Sequence, residues 1–531
     1  MTVNHGRGRL GERPLFLKPQ TMKTDFMKFN RLLALLLLGI AISCSSENEA
    51  PTIPDDPDQM EEMDSDDDTP DPPEDSDQDN DGIPDDEDID MDGDGLIEIA
   101  SVNALNEIRN DLSASGRSLR LGKNDFIGFE LTQDLDFQNP DDYDDPTLLE
   151  AYTSGDGWEP LGTTEFGENG SLTTENRFQE VFEGNGFTIR NLFINRPEQS
   201  YLGLFGATTL DADIRNLSLE SIEITGELII GGIVGLGAGN FENCTVSGTV
   251  TSTTNGQAMI GLLIGRYEGG SITNCNTSGM VMATEAIFAG GLFGRLVIDP
   301  FLQNDALVAS CYSDATVTGE QRVGGLLGGF SLEDAITSTI ELRNSYATGN
   351  VTGENSVGGL IGSTLGSSIS SCYATGDITN TGTSEFDGDS GGLLGFAFSA
   401  TVSSCYATGT ITGNTTGSCK GGLVGLVNNV TISTSFSTGS VQGNTFEIGG
   451  LTGRCQAGSP SIIPSTNYWD LETSGIPFSR EEAQGLTTTE LQSPIDASGI
   501  YATWDPMVWD FGNNSQYPAL LNMPNGVENQ R

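Results

Sequence analysis

Residues 391–412, with the sequence GGLLGFAFSATVSSCYATGTIT, contain the two marks that decide the fold. The first mark is Gly-Leu-x-Gly, and nine copies or close variants of it occur between Gly203 and Gly453, with their final glycines 28 to 34 residues apart. The second mark lies between consecutive copies of the first, for example in Ser371-Cys-Tyr-Ala-Thr-Gly376. A period of about 30 residues indicates a repeat architecture, in which each repeat is one structural unit.

Each repeat has the composition of short strands joined by turns. The second mark is followed by a β-branched stretch such as Thr410-Ile-Thr412 and then by a polar turn, and helical periodicity is absent. Three strands of about five residues and three turns account for ~30 residues, which is one coil of a parallel β-solenoid. We therefore predict an all-β protein, a parallel β-solenoid (β-helix) of about nine coils over residues 201–455.

Small side chains recur at equivalent positions of successive coils, as a narrow solenoid interior requires. Cysteine stands at one such position in five coils and serine in two others, namely Cys244, Cys275, Cys311, Ser345, Cys372, Cys405 and Ser435. Because serine replaces cysteine there, we predict a stacked small-residue ladder rather than disulfides or a metal site. Cys419 and Cys455 fall outside this position, and a disulfide between them stays an open alternative.

Both ends of a solenoid need covers, because the apolar face of a terminal coil has no neighbour. Residues 101–200 are predicted to form an N-terminal cap and the first coil, beginning with a short helix that has Ser101 as its N-cap and places Leu105 and Ile108 on one face. Residues 456–531 contain three of the four tryptophans, so we predict an aromatic C-terminal cap there.

Composition and charge exclude several classes of function. The 531 residues include 23 Lys and Arg against 76 Asp and Glu, which gives a formal net charge of -53. Nucleic acids are therefore poor partners. The single histidine, His5, lies upstream of a segment that we expect to be removed, so mechanisms and zinc sites that need histidine are excluded from the mature protein.

The N-terminus has the pattern of an export signal. Lys28 and Arg31 precede an apolar run from Leu32 to Ile42, which is too short to span a bilayer but typical of a signal peptide. The run ends in Ala41-Ile-Ser-Cys44, which resembles a bacterial lipobox. We predict that residues 1–43 are cleaved and that Cys44 is the lipid attachment site, with a plain secretory peptide as the alternative.

An acidic segment follows the predicted anchor. From Glu47 to Glu98 there are 25 acidic residues and no Lys or Arg. Residues 44–74 are also rich in proline, which predicts a disordered, extended stalk. Residues 75–100 are more specific, because their carboxylates and glycines have the spacing of calcium loops.

Two overlapping loops make up this predicted calcium segment. The expected metal ligands of the first loop are Asp77, Asp79, Asp81, Asp85 and Asp88, and those of the second are Asp90, Asp92, Asp94 and Glu98. Position 12 of the second loop is Ser101 instead of a carboxylate. The run resembles thrombospondin type-3 repeats, which implies calcium as the cofactor. The alternative is an acidic linker that is merely solvated.

The Gly-Gly-Leu-x-Gly repeats with interleaved Cys-Tyr-Ala-Thr-Gly resemble those of GLUG-motif bacterial surface proteins, over about residues 90–522. This resemblance implies a bacterial surface protein, and together with the lipobox at Cys44 it predicts a lipid-anchored protein of the cell envelope, exposed at the outer membrane. We expect an adhesin-like, non-enzymatic protein that binds a glycan or a cell-surface protein and is held to the membrane by its lipid. The alternative is a carbohydrate-active β-helix enzyme using loop carboxylates, for which Glu385, Asp387 and Asp389 are the candidates.

Overall fold

The structure, a computed structural model, describes residues 89–112, 126–164, 176–254, 256–283, 285–298, 305–332, 339–383, 388–413, 419–443, 447–455, 460–480, 482–493 and 499–530. The predicted signal region, Cys44, the stalk and the first calcium loop lie outside the described residues. No helix within the described ranges is long and apolar enough to cross a membrane.

The chain winds into a parallel β-solenoid of about 10 turns with about 31 residues per turn, which confirms the predicted fold class. Three sheets of parallel strands run along its axis. The strands of the first sheet are Leu96–Ile99, Gly128–Leu131, Val181–Glu183, Phe205–Ala207, Asp213–Arg215, Val234–Glu242, Ile264–Thr273, Phe293–Ile298, Ala306–Ala309, Leu327–Leu332, Ile340–Arg343, Ile361–Leu365, Ser368–Ser370, Leu394–Phe398, Thr401–Ser403, Val424–Asn428, Thr431–Ser433 and Thr452–Cys455.

The strands of the second sheet are short, and each lies at or just before one of the last eight Gly-Leu-x-Gly marks. Its strands are Ile229–Ile230, Met259–Ile260, Phe288–Gly290, Gln321–Gly324, Asn355–Gly358, Ser390–Gly391, Lys420–Gly421 and Ile448–Gly449. The strands of the third sheet are Leu135–Asp136, Thr188–Arg190, Phe193–Asn195, Ser218–Gly226, Thr245–Ser252, Asn276–Ala283, Tyr312–Ser313, Thr316–Gly319, Tyr346–Ala347, Val351–Gly353, Tyr373–Ala374, Ile378–Asn380, Tyr406–Ala407, Ile411–Thr412, Phe436–Ser437, Tyr468–Asp470 and Gln484–Leu486. Trp509–Asp510 and Ala519–Leu520 form a separate antiparallel pair.

Within the described ranges, helices are short and lie near the ends of the solenoid. The α-helices are Val102–Glu107, Leu149–Thr153, Leu471–Ser474 and Thr488–Leu491, and the 3₁₀ helices are Ile108–Asn110, Pro140–Asp142, Pro146–Leu148 and Glu528–Gln530. The first helix begins where the sequence predicts, since the Ser101 hydroxyl accepts a hydrogen bond from the Ala104 N–H (3.0 Å). Leu105 and Ile108 point into the core and are fully buried.

The Gly-Leu-x-Gly marks line up along the axis. Leu394 pairs with Ile361 of the preceding turn and Val424 of the following one, and all three side chains are fully buried. A Cβ on Gly392 would lie 2.1 Å from the carbonyl oxygen of Gly422, its equivalent one turn later. Glycine at this position therefore allows successive turns to approach closely.

The predicted small-residue ladder is present, and its five cysteines are buried and not in disulfides. The Cys311 N–H donates to the Ser345 hydroxyl of the next turn (3.1 Å), and that hydroxyl donates to the Arg343 carbonyl (2.8 Å). The Cys311 thiol donates in the same way to the Ala309 carbonyl (3.2 Å). Serine and cysteine interchange here because both can accept from one turn and donate to the carbonyl two residues back.

A second ladder consists of aromatic rings on the third sheet. Tyr312, Tyr346, Tyr373 and Tyr406 stack face to face with centroids 4.8–4.9 Å apart, and Phe436 continues the stack. The C-terminal residues pack against the side of this ladder, where Trp509 lies 5.9 Å from Phe436 between ring centroids. The aromatic C-terminal cap thus extends sideways along the solenoid.

Candidate metal centre at the first turn

Three aspartates converge where the acidic segment enters the solenoid. Oxygen atoms of Asp90, Asp92 and Asp94 lie within 4.8 Å of one another. Asp90 is buried, with 2% of its surface exposed, whereas Asp92 and Asp94 are exposed. Gly93 and Gly95 have φ values of 71° and 92°, so glycine allows the tight turns that bring the three carboxylates together.

Backbone N–H groups orient these carboxylates. Asp90 accepts a hydrogen bond from the Gly95 N–H (3.2 Å), Asp92 accepts from the Asp94 N–H (3.1 Å), and Asp94 accepts from the Leu96 N–H (2.8 Å). An ionised carboxylate has about four lone-pair sites, so it can accept such hydrogen bonds and bind a cation at the same time. The loop therefore holds three anionic ligands in fixed directions.

A row of glutamates from the first sheet completes the cluster. Glu98 lies in the first strand, and its carboxylate accepts a hydrogen bond from the Met91 N–H of the aspartate loop (3.2 Å). Glu98 is directly paired in register with Glu130 of the next turn, and Glu130 with Glu183 of the turn after that. Parallel in-register pairing stacks these three like-charged side chains on one side of the sheet.

Burial and mutual repulsion disfavour negative charge at the two glutamates nearest the loop. Burial is the main cause that raises the pKa of Glu98 to about 7; the nearby Glu130, Asp92 and Asp90 carboxylates act in the same direction, and the hydrogen bond from the Met91 N–H opposes them. Burial also raises the pKa of Glu130, although a hydrogen bond from the Asn185 amide (2.5 Å) opposes this effect. A cation bound among these carboxylates would relieve both penalties.

Of the three stacked glutamates, only Glu183, the one farthest from the aspartate loop, has its negative charge balanced by an arginine in the part of the chain that the structure describes. The Arg215 Nε lies 2.6 Å from a carboxylate oxygen of Glu183. Within the described ranges, no Lys or Arg forms an ion pair with Asp92, Asp94, Glu98 or Glu130. The aspartate loop and the first two glutamates thus form a concentrated anionic site.

Of the four predicted ligands of the second loop, the structure brings Asp90, Asp92 and Asp94 within 4.8 Å of one another, whereas Glu98 lies beside them and contacts the loop through the Met91 N–H; Ser101 has a different role. Ser101 caps the first helix, and its hydroxyl donates to the Asp144 carboxylate (2.5 Å). Glu130 was not predicted, since it lies 32 residues after Glu98 in sequence. The available signal was the element Gly128-Phe-Glu-Leu131, whose register against Leu96–Ile99 places Glu130 beside Glu98.

The alternative catalytic carboxylates are only partly described. Glu385 and Asp387 lie outside the described residues. Asp389 is half-buried, and its carboxylate accepts a hydrogen bond from the Cys419 N–H (3.3 Å). The Cys419 thiol donates to a carboxylate oxygen of Glu447 (3.8 Å), and the Cys455 side chain lies outside the described part of the chain.

The sequence pattern of the GLUG motif matches residues 226–251, 353–379 and 388–412. The chain carries GLUG motifs. Each matched range contains one Gly-Gly-x-x-Gly mark. The motif therefore includes the place where the chain leaves the second sheet and enters the first, together with neighbouring strands. The protein is a GLUG-repeat β-solenoid.

Two relatives share parts of this GLUG-repeat chain. Halomucin of Haloquadratum walsbyi is 30% identical over 171 residues, which are 27% of this chain and 2% of halomucin. A "Putative Gly-rich membrane protein" of Evansella cellulosilytica is 36% identical over 121 residues, which are 22% of this chain and 12% of that protein. The chain therefore matches only small parts of both relatives.

A solved structure also aligns with the chain. It is the "putative immunoglobulin A1 protease" of Bacteroides ovatus, which aligns with a TM-score of 0.33 and 18% identity. The alignment covers 80% of this chain and 92% of that structure.

Proposed function

We propose that this chain is a non-enzymatic surface protein of the cell envelope, anchored by lipid at Cys44, whose solenoid binds a glycan or a cell-surface protein. Calcium bound by the acidic segment stabilises the first turn of the solenoid. The observation that carries the calcium part of this proposal is the convergence of Asp90, Asp92 and Asp94, with the register-paired Glu98 and Glu130 on the adjoining strands. The names of the relatives, halomucin and a "Putative Gly-rich membrane protein", support a surface location.

Calcium suits the donor set, because it is a hard cation that prefers several carboxylate oxygens in a flexible arrangement. Asp90, Asp92, Asp94, Glu98 and Glu130 would hold the ion. Asp92 and Asp94 are exposed, which leaves the site open to solvent. An ion shared by the loop and the two glutamates would tie the Asp90–Asp94 loop to the first two turns. We propose that the first predicted loop, Asp77 to Asp88, also binds calcium.

Binding is favoured over catalysis by the chemistry of the coils. Lys420 is the only lysine after Asn124. It is fully buried, and its ammonium group donates to the carbonyls of Gly413 and Gln442. It is therefore unsuited to act on a bound polymer. The carbohydrate-active alternative keeps one supporting observation, since Asp389 lines a surface groove of about 820 Å³.

The anchoring part of the proposal is tested with the full chain and its Cys44→Ser variant expressed in a bacterial host. We expect the unsubstituted chain to incorporate a radiolabelled fatty acid and to be digested by protease added to intact cells. Cys44→Ser should incorporate no label. Cys372→Ser is the matched control and should behave as the unsubstituted chain, because serine occupies the equivalent position at Ser345. Equal labelling of Cys44→Ser would contradict lipid anchoring.

Catalysis is tested by a reducing-end assay on glycans incubated with the purified chain. We expect no product above the buffer blank. Product release that disappears in Asp389→Ala or Asp387→Ala, with the fold unchanged by circular dichroism, would favour the carbohydrate-active enzyme instead.

A further inference from the structure

A groove of about 820 Å³ runs across several turns in the middle of the solenoid. One wall is a register row of the first sheet, which contains Arg295, Gly329, Ser363, Phe396 and Leu426 in successive turns. Five turns at ~4.8 Å per turn give a groove roughly 20 Å long. The shape therefore suits an extended chain rather than a compact small molecule.

The opposite wall belongs to the second sheet. The groove is lined there by four residues at equivalent positions of successive turns, namely Phe288, Arg322, Ser356 and Asp389. Each of them immediately precedes a residue that pairs with its equivalent in the next turn. The groove also contains Phe398 from the first sheet. Aromatic, cationic and hydroxyl side chains therefore line the same channel, together with the Asp389 carboxylate.

Two arginines meet on one aromatic ring at one end of the groove. The guanidinium carbons of Arg295 and Arg322 lie 4.7 and 5.0 Å from the centroid of the Phe288 ring. Gly329 leaves space for this ring, since a Cβ there would lie 3.0 Å from Phe288 Cε1. The ring holds both guanidinium groups in place and concentrates positive charge at that end.

Arg322 differs from other arginines of the coils in its surroundings. Arg266 pairs with Glu268 and Arg343 pairs with Glu341, each at 3.1 Å. Within the described part of the chain, no carboxylate forms an ion pair with Arg322. Partial burial lowers the pKa of Arg322, which reflects the cost of keeping this charge away from water. An anionic group in the groove would compensate that cost.

Backbone pairing makes this groove unsuited to strand addition by a peptide. The strands cross the groove, and Leu394 is paired with Ile361 on one side and Val424 on the other. No strand edge opens into the groove between these turns, so a ligand must be recognised by side chains. Half-buried Phe396 and Phe398 offer ring faces for sugar rings, and the Ser356 hydroxyl, which donates to the Asn355 side-chain oxygen (3.2 Å), can accept a hydrogen bond from a sugar hydroxyl.

Although the net charge of -53 disfavours long-range attraction of polyanions, Arg295 and Arg322 make one end of the groove locally cationic, and we propose that the groove binds an extended glycan that carries carboxylate groups, that is, a uronic-acid polymer. The Arg322 guanidinium contacts a sugar carboxylate, and Phe396 and Phe398 pack against sugar rings. This inference rests on the proposed glycan-binding function and specifies its ligand class. Arginine suits the role because its planar donors match a carboxylate in a two-pronged hydrogen bond.

The test is calorimetric titration of the full chain with a short oligogalacturonide. The same oligomer with its carboxyl groups reduced to alcohols is the ligand control, and a poly-glutamate peptide represents an acidic protein. We expect binding of the oligogalacturonide and loss of most of the affinity for the reduced oligomer. Arg322→Ala and Phe396→Ala should each weaken binding by about tenfold or more. Arg343→Ala, in an exposed ion pair away from the groove, should bind as the unsubstituted chain.

Each other outcome separates this inference from the proposed function. Equal affinity of Arg322→Ala, Phe396→Ala and the unsubstituted chain would overturn the groove assignment while leaving glycan binding intact. No binding of the oligogalacturonide by a chain that still adheres to cells would overturn the ligand class alone. Tighter binding of poly-glutamate than of the oligomer, lost in Arg322→Ala, would identify a protein ligand and overturn the glycan. If Arg322→Ala fails to fold, Arg322→Lys and Phe396→Ala carry the test.

Discussion

Asn525 donates a hydrogen bond from its side-chain amide to the Tyr373 hydroxyl (2.6 Å), although 152 residues separate the two in sequence. Close by, the Tyr406 hydroxyl donates to the Gln530 side-chain oxygen (3.2 Å). The end of the chain thus returns to turns in the middle of the solenoid. It covers the tyrosine ladder and fastens two of its turns.

Removal of the Tyr373 hydroxyl should destabilise this contact without disturbing the stack. We expect Tyr373→Phe to lower the free energy of unfolding by about 0.5–1.5 kcal/mol, because the Asn525 amide loses its partner. Tyr312→Phe, at the half-buried end of the ladder, is the matched control and should change little. Urea unfolding followed by circular dichroism measures both. An equal loss of unfolding free energy in Tyr312→Phe and Tyr373→Phe would contradict a stabilising role for the hydrogen bond between Asn525 and Tyr373.

The tyrosine ladder also predicts a dependence of stability on pH. Burial raises the pKa of Tyr346 and Tyr373 above the ordinary tyrosine value of 10.0. A group whose pKa is raised by folding contributes stability below its unfolded pKa, and this contribution is lost as pH rises. The free energy of unfolding should therefore be smaller at about pH 11 than at about pH 9.

Tyrosinate absorbance during these unfolding experiments distinguishes the ladder from other groups. We expect the ladder tyrosines to ionise only as the chain unfolds, and the Tyr346→Phe/Tyr373→Phe double variant to lose less stability between the two pH values. Full ionisation of all tyrosines in the folded chain would contradict this interpretation.

The small-residue ladder predicts which substitutions it tolerates. The Ser435 hydroxyl accepts from the Cys405 N–H (3.0 Å) and donates to the Ser433 carbonyl (2.8 Å). Ser435→Ala leaves a buried N–H without its partner and should cost about 1–3 kcal/mol of unfolding free energy. Ser435→Cys keeps both functions and should cost clearly less. Thermal melts of the two variants side by side check this order, and the reverse order would contradict it.

Gly392→Ala tests the close approach of successive turns. The added Cβ would meet the Gly422 carbonyl oxygen at 2.1 Å, so the two turns must separate. We expect a loss of about 3 kcal/mol or more, or failure to fold. Gly256→Ala is the control, because the nearest atom to its Cβ, the Thr254 hydroxyl oxygen, lies 3.3 Å away. Similar melting temperatures for the two variants would contradict close stacking at Gly392.

Regular spacing made the solenoid predictable from the sequence. The Gly-Leu-x-Gly marks identify one position per turn, and parallel pairing then fixes the neighbours of Leu394 and of the Cys311 position. Features that join distant segments were not predictable in this way. Glu130 is paired with Glu98 across 32 residues of sequence, and that stretch contains no Gly-Leu-x-Gly mark from which its register could be read. The groove was not predictable either, because it combines residues of two sheets and of different turns. Arg322 lies in the second sheet, and Phe396 lies in the first sheet of a later turn.

The C-terminal region shows a second limit of sequence reasoning. Its aromatic residues indicated a cap, but nothing local to Trp509 or Asn525 specifies the ladder position against which each packs. The placement is decided by the contacts of Trp509 with Phe436 and of Asn525 with Tyr373, which join segments that are far apart in sequence.

The most direct measurement of the central claim is thermal melting of the full chain in calcium and in excess chelator. Calcium that binds only the folded form should stabilise it by about 2.7 kcal/mol at a concentration a hundredfold above its dissociation constant. We expect Glu130→Gln to lose much of this gain, and Glu198→Gln, an exposed glutamate outside the cluster, to keep it. Coincident melts with and without calcium, or full stabilisation of Glu130→Gln, would contradict a first turn fastened by the metal.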